Sequence, residues 1–315
     1  MKTVMLTGGT GFVGANLARR LLHDGHRVHL LIRPQAERWR LHGVVDDLHL
    51  HTIESWDTAD LTSVVKVIKP DWIFHMAAFG AYSFQTDVHA IMSTNLMGTS
   101  NLVQACLQHQ FEAFIHTGSS SEYGYKDHPP AETEWVDPNS YYAVAKAAAT
   151  QYCRYTALAQ KRPIVTLRLY SVYGRYEEPR RLMPNLIKKG LAGHLPHLSS
   201  PDTARDFIAI DDVLDACLLV AQRSPDLAYG EVFNIGTGVQ STLRQVIEVA
   251  REVLEIQQEP AWGSMGARQW DTNNWVADTT HTRQTLQWEA LTDFRTGFSQ
   301  MVEWFKEHSH FYADL

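Results

Sequence analysis

The sequence predicts an α/β protein: a doubly wound parallel sheet carrying a smaller C-terminal lobe that binds substrate. Three observations lead there. Short apolar runs alternate with stretches of helical periodicity through the first half of the chain. A glycine-rich turn, Leu6 to Gly14, joins the first apolar run to the first helical one. Beyond Gly174 the rhythm breaks, and residues 175–201 are rich in Pro, Gly and Arg.

The elements follow in order. Residues 4–6 are a short apolar run, and residues 15–22 place Leu17, Ala18, Leu21 and Leu22 at helical spacing before Gly25 stops the helix. Strands are expected at 27–32 and 48–53, a helix at 61–68, and a strand at 72–75 behind Pro70. Residues 94–107 read as a helix, 113–117 as a strand, 141–158 as a long helix and 164–169 as a strand. A helix covers 182–191, and regular elements return at 207–220 and 231–235. The order implies parallel strands with helices on both faces. The expected division is a nucleotide-binding domain over 1–174, to which 206–235 returns, and a lobe made of 175–205 and 236–315.

Composition narrows the function classes. The 315 residues are 44% hydrophobic and 20% charged, as in an ordinary soluble enzyme, with a net charge of -7. That charge argues against a nucleic-acid binder, which needs a basic face. Cys106, Cys153 and Cys217 stand far apart, form no metal spacing, and suit a reducing compartment. The N-terminus runs straight into a strand pattern without a signal-peptide layout, and no apolar run has the length of a membrane span. The expectation is a cytoplasmic protein with neither a metal nor a membrane partner.

The glycine turn sets the first chemical expectation. Gly8, Gly11 and Gly14 are spaced by three between a strand and a helix. One glycine serves the tight turn, one the approach of a pyrophosphate, and one the packing of helix on strand. The helix N-terminus, with Phe12 and Val13 in its first turn, then offers unpaired N–H groups to phosphates. This is the Rossmann-type arrangement for a dinucleotide. At the end of the second strand, where a carboxylate would take the ribose hydroxyls of NAD, stands Arg33, followed by Arg38 and Arg40. A guanidinium suits a 2′-phosphate, which favours NADP over NAD; the plainer reading is a solvated arginine at a strand end.

Of the twelve tyrosines only Tyr142 has a lysine four residues on, Lys146, and both fall on one helix face. A phenol of pKa about 10 is ionised in about one molecule in a thousand at neutral pH, so using it as a base costs ~4 kcal/mol. One ammonium about 4 Å away supplies interaction of that order at an effective dielectric near 20. Tyr142 with Lys146 is therefore a candidate acid/base pair. The run Ser119-Ser120-Ser121 lies just past a strand end, at the sheet edge where ligands bind in such folds. Ser119 there could hold a substrate oxygen, although a serine run alone is more often a turn or cap.

Taken together the motifs resemble the extended short-chain dehydrogenase/reductase family, the NAD(P)-dependent nucleotide-sugar epimerases and dehydratases. The resemblance runs over nearly the whole chain: GGTGFVG at 8–14, PDWIFHMAA at 70–78, TNLMGT at 94–99, SSSEYG at 119–124, YAVAK at 142–146, RLYSVYG at 168–174, RDFIAIDD at 205–212 and FNIGTG at 233–238. It implies Ser119, Tyr142 and Lys146 as catalytic residues. Ala77, Ala78, Tyr170 and Val172 would lie along the dinucleotide, and Ser119, Ser120, Arg205 and Arg268 would contact the nucleotide sugar. It implies hydride transfer at a sugar carbon, C4 foremost, ending in epimerisation or reduction, and a homodimer through the helices starting near Thr94 and Tyr142.

The departures bear on the reaction. Members that eliminate water carry an Asp-Glu pair after the Ser or Thr, and here Ser120 and Ser121 stand in those places, with Glu122 one position off. That weakens a 4,6-dehydratase, which stays an alternative. So do a non-catalytic NADP-binding sensor, against which the Tyr-Lys pair argues, and a reductase of other ketones. His49 and His51 share a strand face, where a solvated strand end is favoured over a metal site. His308 and His310 are expected in solvent, and Arg180-Arg181 is equally a phosphate clamp or an exposed turn.

Overall fold

A computed structural model describes residues 1–266 and 272–312 of the chain. Contacts gather these into two compact units: the first spans 1–124, 134–169 and 214–233, the second 125–133, 170–213 and 234–315.

The first unit is built on strands β1 (Thr3–Thr7), β2 (Arg27–Ile32), β3 (His49–Thr52), β4 (Trp72–His75), β5 (Ala113–Ser119) and β6 (Ile164–Leu169). They alternate with α1 (Phe12–His23), α2 (Thr58–Ile68), α3 (Val88–Met92), α4 (Gly98–Leu107) and α5 (Tyr141–Gln160). With β10 (Val232–Ile235) they form a seven-stranded sheet in the order β10-β6-β5-β4-β1-β2-β3. The five pairings from β3 to β6 are parallel. Along β6, Thr166 N bonds to Glu231 O and Tyr170 N to Ile235 O, so β10 advances in the same direction. The expected parallel α/β sheet is present. β4 is buried throughout and β5 up to its last residue, which is why they read as continuous apolar runs. The order reverses between β1 and β4, which places the switch point of the sheet beside the glycine turn.

Helix bounds differ from expectation where a cap was overlooked. α2 starts at Thr58 because the Asp57 side chain accepts from Asp60 N at 2.9 Å. α5 starts at Tyr141, as expected, where the Ser140 hydroxyl accepts from Ala143 N at 3.1 Å, and runs two residues further, to Gln160. The helix expected at 94–107 begins earlier, at Val88, and passes through a wide π turn over Ser93–Met97. That turn frees Asn95, fully buried, to clamp the chain after β4: its Nδ2 donates to Phe79 O at 2.6 Å and its Oδ1 accepts from Phe79 N at 3.1 Å.

The second unit contains β7 (Ser171–Tyr173), α6 (Leu182–Gly190), β8 (Ala204–Arg205), β9 (Phe207–Ala209), β11 (Ser241–Thr242), α8 (Leu243–Val253), α9 (Thr280–Leu286) and α10 (Phe294–His308). The chain crosses between units within α7 (Ile210–Arg223) and within β10, where no change of composition marks a boundary. β7 pairs with β9 in parallel and β8 with β11 antiparallel. Between β8 and β9 the buried Asp206 accepts from Thr237 N at 2.8 Å, Thr237 Oγ1 at 2.6 Å, Gly238 N at 3.0 Å and Ala277 N at 3.1 Å. One carboxylate thus ties three loops that have little apolar surface of their own.

Some expectations need correction here. His308 is not simply solvated: its ring stacks on Trp304 at 4.8 Å, and its Nδ1 lies 2.9 Å from Trp304 O. On the edge strand β3, His49 and His51 are joined by His29 of β2, with His29 Nδ1 at 2.9 Å from His51 Nε2. Arg180 and Arg181 pair with Glu178 and Glu177. No helix among the described residues is long and apolar enough to cross a membrane, and no group of three or more His, Cys, Asp or Glu among them is arranged to hold a metal.

Candidate active site

The glycine turn is a backbone device. Gly8 has φ +68°, and a Cβ there would meet Ala77 N at 2.5 Å and Met76 C at 2.6 Å. The loops after β1 and β4, on either side of the switch point, therefore touch through their main chains. A Cβ on Gly14 would lie 2.2 Å from Gly8 O, so the start of α1 packs directly on the turn. Gly11, the N-cap of α1, provides no side-chain cap. The first-turn N–H groups of a 12-residue helix, with Phe12 and Val13 half-buried, are left to an outside acceptor. These features fit a dinucleotide pyrophosphate. Ala77 is half-buried, with its N–H donating to Thr7 Oγ1 at 3.3 Å, and Ala78 is exposed. Arg33 is exposed one residue beyond β2; Arg38 is exposed too, whereas Arg40 is buried with its guanidinium 4.2 Å from the Trp39 ring centroid.

At the end of β5 the chain turns through Ser120–Tyr123. Ser119 is the cap of this turn. Its Oγ accepts from Ser121 N at 3.2 Å and lies 2.7 Å from Ser121 Oγ. The bland role of a serine run is thus real, and it leaves a half-buried hydroxyl at the sheet edge. Ser120 is buried. Glu122 folds back beneath the turn: Oε1 accepts from Ser119 N at 2.8 Å and from Thr150 Oγ1 at 3.0 Å, and Oε2 from Arg168 Nε at 2.8 Å. Gly118 makes the room, because a Cβ there would sit 2.7 Å from Glu122 Oε1.

Tyr142 and Lys146 lie one helical turn apart on α5, which packs against β5 and the Ser120–Tyr123 turn. Tyr142 is half-buried against the loop after β4, where a Cβ on Gly80 would come 3.4 Å from its Cδ2. Lys146 is 1% exposed, and no group among the described residues is hydrogen-bonded to its ammonium. Burial pushes Lys146 down to about 8, against the pull of Glu122 and Cys153. Two histidines share its surroundings. His75 Nδ1 lies 2.7 Å from Thr7 Oγ1 and its Nε2 2.8 Å from Thr99 Oγ1, while burial and then the Lys146 charge push it down to about 3. His116, its register partner on β5, stacks on it at 5.6 Å, and neither ring nitrogen has a hydrogen-bond partner. Burial, Lys146 and His75 hold His116 far below the usual histidine range. Both imidazoles are neutral, so Lys146 is the cation of this pocket.

The first unit thus brings together the glycine turn, Ala77, Ala78, Ser119, Ser120, Tyr142 and Lys146. Tyr170, Val172 and Arg205 belong to the second unit. Tyr170 is buried, Val172 is half-buried on β7, and the Arg205 guanidinium lies 5.1 Å from the Trp275 ring centroid, with Nη1 donating to Ala204 O at 2.6 Å. Arg268 lies outside the described residues. The sequence does not reveal Asn95 and His116, and it shows Glu122 only as a carboxylate off the dehydratase pattern, not as a buried brace. A buried polar residue is found only by its partners, and those are distant in sequence; the glycine preceding Ser119 was the one local hint of a folded-back side chain.

The family model of the NAD dependent epimerase/dehydratase family matches residues 4–236. The chain is 29% identical over 323 residues to UDP-glucose 4-epimerase of Mycolicibacterium smegmatis, covering 97% of this chain and 99% of that protein. It is 27% identical over 338 residues to dTDP-D-glucose 4,6-dehydratase of Homo sapiens, covering 98% and 91%. Among solved structures, MoeE5 in complex with UDP-glucuronic acid and NAD aligns with a TM-score of 0.82 at 27% identity, covering 97% of this chain and 99% of that one. With motifs, sheet order and a family model spanning most of its length in agreement, the chain belongs to the NAD-dependent epimerase/dehydratase family.

Proposed function

We propose that this enzyme oxidises and reduces a nucleotide sugar at one carbon, C4 foremost, and that Tyr142 moves the proton. The observation that carries the reading is Lys146: a side chain 1% exposed, its ammonium without a hydrogen bond among the described residues, one helical turn from a tyrosine. Such a charge is retained at a cost, and a ribose hydroxyl of the dinucleotide together with the Tyr142 phenol would be its partners.

NAD(P) would be held by Gly8, Gly11, Phe12, Val13, Gly14, Ala77 and Ala78, with Tyr170 and Val172 assigned to it from the resemblance alone, and would supply hydride acceptance and return at the sugar carbon. Tyr142 accepts the hydroxyl proton as the carbinol is oxidised and gives it back on reduction. Ser119, fixed by its turn, holds the same oxygen, and Ser120 lines the approach. Lys146 favours the phenolate electrostatically. Arg205, stacked near Trp275, and Arg268 are assigned to the phosphates of the substrate.

Epimerisation or reduction is preferred to 4,6-dehydration. Both oxygens of Glu122, the nearby carboxylate, are already taken by Ser119, Thr150 and Arg168. Exposed Arg33 supports NADP as the cofactor, while the relative MoeE5 was solved with NAD. Tyr141, Val144, Tyr155 and Leu158 are exposed along one side of α5, and Met97 is exposed just before α4, which supports a homodimer through these helices. Three buried free cysteines are in keeping with the cytoplasm.

The test is purified enzyme with UDP-, CDP-, GDP- and dTDP-sugars and their 4-keto forms, with NAD(H) and NADP(H). A C4 epimer, or reduction of a 4-keto sugar, is expected for one nucleotide. No product and no cofactor turnover across the panel would overturn the reading, and loss of water from C5 and C6 would replace it with dehydration. Light scattering on the purified protein reads the dimer.

A further inference from the structure

Glu122 is a fully buried carboxylate at a junction of four pieces of chain. Its three hydrogen bonds reach the end of β5 (Ser119 N), α5 (Thr150 Oγ1) and β6 (Arg168 Nε). Arg168, 2% exposed, also donates from Nη1 to Tyr123 OH at 2.8 Å and lies 4.5 Å from the Tyr123 ring centroid, in the turn itself. Thr150 is one helical turn beyond Lys146 on the buried side of α5.

We propose that Glu122 is a positioning residue for the acid/base pair: its carboxylate fixes the Ser119 backbone, docks α5 through Thr150 one turn from Lys146, and sets its charge on the Lys146 side of that helix. The proposal rests on the reading of Ser119, Tyr142 and Lys146 given above. It adds a residue that touches neither substrate nor cofactor.

The argument is one of charge. A carboxylate sealed from water needs a partner, and Arg168 Nε lies 2.8 Å from Glu122 Oε2. The groups that face Lys146 are Glu122 in the turn, Cys153 on α5, His75 on β4 and His116 on β5. Both histidines are neutral. Burial pushes the Cys153 thiol up to about 12, so it brings no negative charge at neutral pH. Glu122, paired with Arg168, is the carboxylate among them, and it opposes the burial that drives Lys146 toward the free amine. The same geometry explains why a glutamate one position away from the dehydratase pattern is not a spare acid: it points beneath the turn, toward β6.

The test follows the Lys146 Cε resonance by NMR in lysine-labelled protein, assigned with Lys146→Gln, as pH is raised. Glu122→Gln is expected to weaken proton binding at Lys146 about tenfold, moving its midpoint down by about one pH unit. The alkaline limb of kcat should move with it. Thr150→Val, which removes a hydrogen bond and keeps the charge, is expected to leave the midpoint in place. If Glu122→Gln does not fold, Glu122→Asp, which keeps the ion pair and draws the carboxylate back by one methylene, carries the measurement, with a smaller downward shift expected. An unchanged Lys146 midpoint overturns the electrostatic role. A shifted midpoint with an unmoved kcat limb overturns the link to catalysis. The resonance is read without turnover, so it stands apart from a failure of the proposed reaction, which the sugar panel reports.

Discussion

Two neighbouring pairs of strands in the same sheet hold the candidate site by opposite means. At β1 and β4 the cradle is made by removing side chains: Gly8 and Gly14 let three stretches of main chain meet, and no charge is involved. At β5 and β6 the site is made by burying charge: Glu122, Arg168 and Lys146 are sealed together, beside two imidazoles that burial keeps neutral. The first device is rigid and costs little in the free protein. The second pairs Glu122 with Arg168 and leaves the desolvation of Lys146 for a bound partner to relieve. The difference teaches that, in the function proposed, binding and proton transfer would draw on different devices.

The comparison can be broken by substitution. The largest effect is expected from Tyr142→Phe, which should cut kcat by about a thousandfold while cofactor affinity stays near that of the wild type; rapid-reaction kinetics with equilibrium binding checks the split. Next, Lys146→Met should destroy turnover and yet stabilise the cofactor-free protein. Burial depresses the lysine from 10.5 to about 8, so folding carries a penalty of up to about 3 kcal/mol at pH 7, and it is relieved as pH rises from about 8 toward 10.5. Denaturant melts at pH 7 and pH 10 measure both. Gly14→Ala should act at the other pair of strands, destabilising the fold by about 2 kcal/mol and weakening dinucleotide binding, because the new methyl meets Gly8 O.

Smaller effects sharpen the contrast. His75 and His116 are depressed below the free value of 6.5, so the stability they contribute is complete above that pH and lost as pH falls beneath it. Each adds a slope of about 1.4 kcal/mol per pH unit. His116→Phe should remove one share of that slope, seen in melts between pH 6.5 and 4.5. The smallest change is expected from Arg33→Ala, which should shift the NADPH-to-NADH affinity ratio about tenfold, or about 1.4 kcal/mol, by calorimetry.

How much was legible in the sequence follows the same division. Glycine spacing and strand periodicity are local signals, so the turn at Gly8–Gly14 and the strands β2, β4 and β6 could be read residue by residue. Tyr142 and Lys146 were visible because one helical turn brings them together. The π turn at Ser93–Met97 was not, because it exists to aim Asn95 at Phe79, a contact across 16 residues. Glu122 could be read only as a carboxylate one position off the dehydratase pattern, because its partners, Thr150 and Arg168, lie 28 and 46 residues away. In the second unit, strands as short as β8 and β11 carry no periodicity, and they are held by Asp206 and by pairing with each other.

The central claim is that Lys146 waits, buried and unsatisfied, for the dinucleotide. It is tested most directly by calorimetric binding of NAD(P) between pH 7 and 9.5, in buffers of different ionisation heat. Binding is expected to take up protons above about pH 8, where free Lys146 begins to lose its charge, and Lys146→Met should abolish that uptake. Binding without proton uptake across the whole range, or uptake that survives in Lys146→Met, would contradict it.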